Sequence, residues 1–322
     1  MDRLRFFGLL HLADDQVTSG NASFDSFNAQ LKIYVRNAAL LARTLRRHGA
    51  GFTLLTNDPS RVERTAAEDD LKIDAVSIPF VTPVPGGIPF YSAHFKFDVF
   101  RYLAGLGDVY ACLCDLDMVC ARPIPDALLR LVRDNVPVRY DISAQVIPAY
   151  GADVIARDLE ALHGMRRSAT WSGGEFIGGP SSFFAELTET IDRLFPRYLS
   201  ALPTLHHVGD ECATSAALEA MTARGVHIED AGRSHIVGRY WSIPTRHRQA
   251  PWASYSTTGL LHLPADKVLL SRLASITDAD LENVVAVYRR SLMRSPRHLA
   301  RCAKVALSNL RHAFGRSREA AT

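Results

Sequence analysis

Cysteine is scarce in this chain of 322 residues, and long apolar runs are absent. The five cysteines (Cys112, Cys114, Cys120, Cys212 and Cys302) form no secreted disulfide framework, and the Cys112-Leu113-Cys114 spacing suits neither zinc nor a thioredoxin-type motif. They read as small hydrophobes in a reducing compartment, which points to a cytoplasmic protein. No apolar run approaches the ~18–20 residues that span a bilayer. The apolar stretch near residues 4–12 is short and is followed by Asp14 and Asp15, so it reads as a first β-strand rather than a targeting segment. Internal repeats, low-complexity linkers and recognisable nucleic-acid motifs are also missing. These absences leave one main domain over residues 1–280 and a C-terminal segment, 281–322.

The composition that remains is that of a globular protein. Its 47% hydrophobic content can bury a sizeable core, and 22% charged residues is ordinary. The net charge of +3 hides an asymmetry. From Leu281 onward nine Lys/Arg face two acids, leaving 28 basic and 32 acidic residues in the body. Val287, Leu292, Leu299, Val305, Leu307, Leu310 and Phe314 interleave with the arginines of this tail. An apolar stripe among cations suits a membrane surface better than a nucleic acid.

Strand and helix patterns alternate along the chain, which predicts an α/β sheet. Strands are expected near 4–12, 52–56, 73–80, 109–119, 138–147, 226–228 and 258–263. Helices are expected near 31–48, 95–103, 126–132, 182–199 and 212–223. Asn57-Asp58-Pro59 reads as a turn, 82–89 as a Pro/Gly-rich loop, and 149–170 gives no clear pattern. The most informative run is 109–119, an apolar strand that ends in Asp115 and Asp117. Apolar residues throughout imply burial on both faces. Carboxylates at the C-terminal end of such a strand sit where α/β sheets bind ligands. At i and i+2 they share a side and can address one divalent cation, Mn²⁺ or Mg²⁺.

Other candidates follow. Trp171 and Glu175 flank Gly173-Gly174 in a glycine-rich run, an aromatic face and a carboxylate suited to gripping a sugar. The same run also reads as a plain turn between strand and helix. Asp210 most simply N-caps the next helix, and Glu211 suits its dipole, but both can aim into a cleft. His206 and His207 read as solvated. His262, at the end of an apolar strand, could supply a third metal ligand, and Lys267 suits a diphosphate.

Together, in this order, these blocks resemble the GT-A glycosyltransferases, over about residues 91–245. Tyr110-Ala111-Cys112-Leu113-Cys114-Asp115-Leu116-Asp117-Met118 resembles the strand and Asp-Val-Asp-Met motif of the retaining blood-group A/B-type α-1,3-galactosyl/N-acetylgalactosaminyl transferases. Gly173-Gly174-Glu175-Phe176-Ile177-Gly178-Gly179 is similar to their Gly-Gly-x-Phe-x-Gly-Gly run, and Asp210-Glu211 to their Asp-Glu-Ser segment. Two departures stand out. The histidine of the family's His-Asp-Glu-Ser run is displaced here, and His262 with Lys267 is closer to bacterial retaining transferases of the lipooligosaccharide and glycogenin type. Trp171 with Gly173-Gly174-Glu175 is also similar to inverting β-1,4-galactosyltransferases.

The resemblance implies a GT-A (Rossmann-like), mostly parallel sheet flanked by helices, with a basic helical tail. It implies a metal-dependent transferase that moves a hexose (Gal, Glc or an N-acetylhexosamine) from a UDP-sugar to a glycan or glycolipid, with retention. The setting it implies is bacterial surface polysaccharide or lipopolysaccharide synthesis, at the cytoplasmic face of the inner membrane. It assigns Asp115, Asp117 and His262 to the metal, and Lys96, Asp115 and Lys267 to the donor. Trp171 and Gly174 fall to a sugar or acceptor, and Glu211, Asp210 and Glu175 to catalysis. An inverting transferase and a degenerate sugar-binding protein are the alternatives. A haloacid-type phosphatase would need its Asp-x-Asp on the first strand, and a sugar-1-phosphate nucleotidyltransferase a Gly-rich loop after it; neither is present.

Overall fold

In the computed structural model, residues 3–13, 24–166, 169–296, 299–300 and 302–304 are described. The strands are β1 (Leu4–Leu10), β2 (Phe52–Thr56), β3 (Ala75–Ser77), β4 (Tyr110–Cys114), β5 (Met118–Cys120), β6 (Val138–Asp141), β7 (Ser172–Pro180), β8 (Glu229–Asp230), β9 (Val237–Arg239) and β10 (Leu260–His262). The helices are α1 (Phe27–Arg47), α2 (Pro59–Ala67), α3 (Lys96–Ala104), α4 (Asp126–Asp134), α5 (Ser143–Tyr150), α6 (Ala152–His163), α7 (Ser181–Ala201), α8 (Asp210–Ala223), α9 (Lys267–Leu273), α10 (Asp278–Leu281) and α11 (Val284–Met293).

Seven strands form the main sheet in the order β3-β2-β1-β4-β7-β6-β8. Every neighbouring pair is parallel except those of β7, which runs against both β4 and β6. The class is the α/β one expected. β4 sits centrally, and all five of its residues are buried, as its unbroken apolar run requires. One group of helices, α3, α6, α7 and α8, packs together, and another gathers α1 with α2 and α9. A second, three-stranded sheet (β5-β10-β9) leaves the main one just after the two aspartates.

Several local readings change. The glycine-rich run is not a turn but β7, a nine-residue strand held between β4 and β6. The apparent turn at Asn57-Asp58-Pro59 starts α2. Asp58 caps it by accepting from the Arg61 N–H at 2.9 Å, and Pro59 occupies the first turn, where its missing N–H costs nothing. The strand expected over 138–147 ends at Asp141, whose carboxylate accepts from the Ser143 N–H at 2.9 Å and turns the chain into α5.

The domain boundary expected at residue 280 falls inside a packed unit. Leu281, Val284 and Tyr288 are buried in a second apolar cluster with Leu40, Val119, Leu261 and Leu270. The Tyr288 hydroxyl donates to Asp266 at 2.8 Å. Val287 and Leu292, assigned above to a membrane-facing stripe, pack against this cluster, whereas Met293 is 73% and Leu299 60% exposed. Arg297, Arg301 and the tail from Val305 onward, like Asp14 and Asp15, lie outside the described residues. Among the described residues no helix is long and apolar enough to cross a membrane.

Candidate active site

Strand register assembles the site. β4 ends at Cys114, and the next N–H, that of Asp115, donates to the Glu175 carbonyl of β7 at 3.0 Å. Asp117 immediately precedes β5. The pairing of β5 with β10 sets His262 opposite Met118, and β9 sets Arg239 opposite His262. Ligand atoms of Asp115, Asp117 and His262 thereby lie within 4.8 Å of one another.

The three side chains fit a divalent cation. Asp117 is 3% exposed; its Oδ1 faces His262 Nε2 at 3.2 Å, and its Oδ2 is ion-paired with Lys267. Asp115 Oδ2 lies 3.9 Å from the same Nε2. That nitrogen is buried and makes no hydrogen bond among the described residues, while Nδ1 sits 3.3 Å from Glu175 Oε1. An imidazole with a carboxylate on one nitrogen and the second nitrogen turned toward two further carboxylates has the arrangement of a metal ligand. Two carboxylates and one imidazole suit Mn²⁺ well, and Mg²⁺, which prefers oxygen donors, less well.

The charges respond to this crowding. Burial opposes ionisation of Asp117, but Lys267 and then His262 outweigh it and hold the carboxyl well below its usual range. Burial likewise disfavours the His262 imidazolium, yet Asp117 and Glu175 raise its pKa to about 9. Glu175, despite burial, is lowered to about 2 by Arg239 and His262.

Lys96 does something other than expected. Its ammonium donates to the Gly174 carbonyl at 2.7 Å and is paired with Asp115 at 2.9 Å and Asp210 at 3.0 Å. An ammonium has three N–H groups, and three acceptors take them, so none is left for a diphosphate. Asp210 is the first residue of α8 rather than its N-cap, a position held by Gly209. Gly174 carries no side chain for a steric reason: a Cβ there would lie 2.6 Å from Asp210 Oδ2 and 2.9 Å from Lys96 Nζ.

Glu211 has a carboxylate held from two sides. The Trp171 indole N–H donates to it at 2.9 Å and the Gly174 N–H at 3.1 Å. Trp171 is only 2% exposed, so its indole orients Glu211 instead of offering a broad stacking face. Glu175 is 1% exposed and is not part of the cleft wall, where a sugar-gripping role would need it.

A cleft of about 600 Å³ covers the site. Its lining includes His11 and Tyr34, the charged groups Asp115, Asp117 and Lys267, and Glu211 with Tyr150 and His247, the last two in ring contact. His206 and His207, expected to be solvated, line it as well. The His206 ring bonds Asp158, and His207 lies 3.9 Å from Glu211. Arg239, Tyr150, Trp241 and His247 are cleft residues that the sequence did not single out. A signal existed for Arg239. Like the aspartates, it is a charge closing a short apolar run (Ile236-Val237) at a strand end.

No family model matches the chain, and no curated protein matches it. Solved structures with similarity include mouse xyloside xylosyltransferase 1 in its apo form, at 10% identity and a TM-score of 0.43, over 80% of this chain and 96% of that one. The galactosyltransferase LgtC, in complex with donor and acceptor sugar analogs, gives 11% and 0.48 over 86% and 98%. The apo structure of the bifunctional glycosyltransferase WbbM gives 10% and 0.48 over 92% of this chain and 50% of that one. Likenesses at this level carry no inference about chemistry, which rests on the side chains described above.

Proposed function

We propose that the chain is a metal-dependent glycosyltransferase that moves a hexose from a UDP-sugar to a hydroxyl of a glycan or glycolipid, with retention. The observation that carries this reading is the Asp115–Asp117–His262 triad, of which Asp115 and Asp117 line a 600 Å³ cleft together with an oriented carboxylate, Glu211. Asp115, Asp117 and His262 would hold Mn²⁺ or Mg²⁺. A cation bound there supplies Lewis-acid neutralisation of the departing diphosphate.

The protein's own groups do the rest. Lys267 lines the cleft, pairs with Asp117 and donates to the Pro264 carbonyl at 3.4 Å, which places its positive charge where a phosphate would lie beside the cation. Lys96 positions Asp115 and Asp210 and does not bind donor. Glu211, fixed by Trp171 and Gly174, stands beside the anomeric carbon as nucleophile or as stabiliser of positive charge there. In this reading the nucleoside lies against His11 and Tyr34, and the acceptor enters beside Tyr150 and His247. A surface-polysaccharide or lipopolysaccharide acceptor, met at a membrane face through the basic tail, fits this reading.

The test is release of UDP from a panel of UDP-hexoses with Mn²⁺. Turnover that disappears in EDTA and in Asp117→Ala supports the reading. Turnover that survives both contradicts it.

A further inference from the structure

Glu175 sits beside the proposed cation site yet outside the cleft, and no step of the transfer uses it. We infer that Glu175 and Arg239 are positioning residues that set the His262 imidazole for the cation, an inference that rests on the metal reading above. One oxygen, Glu175 Oε1, serves both partners: it lies 3.3 Å from His262 Nδ1 and 3.4 Å from Arg239 Nε. A carboxylate on Nδ1 fixes both the tautomer and the ring plane, so that the Nε2 lone pair faces the cation. Among the described residues Nε2 makes no hydrogen bond, and it faces Asp117 Oδ1 at 3.2 Å.

The supports of this pair reach further back. Arg239 Nε also donates to Gln145 Oε1 at 3.1 Å, and the Arg239 N–H donates to the Tyr140 hydroxyl at 3.1 Å. Gln145 Nε2 donates to that same hydroxyl at 2.9 Å, which locks α5 and β6 to the arginine. On the other side, the Glu175 carbonyl accepts the Asp115 N–H. A single residue of β7 therefore holds two of the ligand-bearing segments, one by its backbone and one by its side chain.

Local sequence makes room for this. A Cβ at Gly173 would lie 2.0 Å from Glu175 Oε2, so the glycine leaves the hollow that the carboxylate fills. A buried carboxylate–guanidinium pair is a poor way to gain stability, since apolar residues of equal volume often do as well or better. Orienting a ligand is a reason to keep one.

The experiment uses the full chain and follows Mn²⁺ by electron paramagnetic resonance. The free-ion signal gives affinity, and echo-envelope modulation from ¹⁴N reports imidazole on the metal. Glu175→Ala is expected to weaken Mn²⁺ binding by about 10–100-fold, the usual cost of losing an outer partner of a metal-bound histidine, and to diminish the ¹⁴N modulation. Glu175→Gln keeps an acceptor oxygen without its charge and should fall between wild type and Ala. It carries the test if Glu175→Ala does not unfold cooperatively. Folded variants within twofold of wild type, with the ¹⁴N modulation unchanged, would overturn the positioning role alone. Wild-type protein that binds no Mn²⁺ would overturn the metal reading and this inference with it.

Discussion

Replacing Lys96 by methionine keeps the apolar stem and deletes the ammonium that binds Asp115, Asp210 and the Gly174 carbonyl. Two neighbouring carboxylates then lose their counter-charge, and a carbonyl loses its donor. Breaking a buried ion pair costs about 3–5 kcal/mol. Asp115 keeps a side chain 32% exposed and can be partly hydrated, so the low end, about 3 kcal/mol, is expected. With a urea slope of ~3 kcal/mol/M the unfolding midpoint falls by about 1 M. Asp115 and Asp210, in that order, raise the Lys96 pKa above its ordinary value against the opposing effect of burial. A raised lysine pKa stabilises fully below the ordinary value, ~10.5, and loses this effect only as pH rises through the folded-state value. The deficit should accordingly be the same from pH 6 to 9. Deleting the ammonium also frees Asp115, so Mn²⁺ should restore more stability to the variant than to wild type. The assay is urea unfolding in EDTA and in Mn²⁺. An unchanged midpoint in EDTA, with donor KM raised tenfold, would show that Lys96 serves the phosphates instead.

Three more outcomes follow from the geometry. Gly174→Ala forces Asp210 or Lys96 to move away from a Cβ 2.6 and 2.9 Å distant, and Glu211 loses its aim; turnover should drop by about 100-fold, with about 1–3 kcal/mol lost by overpacking, and wild-type kinetics would contradict this. In EDTA, His262, at about 9 in the folded state, stabilises fully below its ordinary ~6.5 and loses this as pH rises to 9. At ~1.4 kcal/mol per pH unit, that alkaline loss is about 3 kcal/mol, absent in His262→Gln. Glu175, at about 2, stabilises above its ordinary ~4.5 and loses this as pH falls toward 2. The two limbs share the Glu175–His262 contact, although Asp117 dominates the first and Arg239 the second, so they are not added; midpoints flat from pH 6.5 to 9 would refute the alkaline limb. Finally, truncation after residue 280 removes Leu281, Val284 and Tyr288 from their cluster, at roughly 1.5–3 kcal/mol per buried side chain. Truncation after residue 296 should lower melting far less than truncation after 280, because Leu281, Val284 and Tyr288 stay in place, and should reduce co-sedimentation with anionic vesicles. Equal vesicle binding by full-length and shortened chains would remove the tail from the membrane.

The parts of the site that were readable in the sequence were those where a charge interrupts an apolar run. Asp115 and Asp117 stand out because five buried residues precede them, and His262 ends a strand in the same way. β7 was hidden because glycines carry no strand preference; pairing with β4 and β6 on both sides imposes extension on them. Arg239 also closes an apolar run, but one of only two residues, too short to mark β9, which takes its place from register with β10. The role of Lys96 was equally out of reach, since its partners lie 19, 78 and 114 positions away along the chain. Pattern shows which side chains are costly to bury, and only the fold shows what each one is paired with.

The most direct test of the central claim is thermal stability of the protein against UDP-, GDP-, CMP- and dTDP-sugars, each measured with Mn²⁺ and with EDTA. Tm should rise with UDP-sugars and Mn²⁺, and the rise should vanish in EDTA and in Asp117→Ala. A rise that ignores EDTA, or no rise with any nucleotide sugar, would contradict the claim.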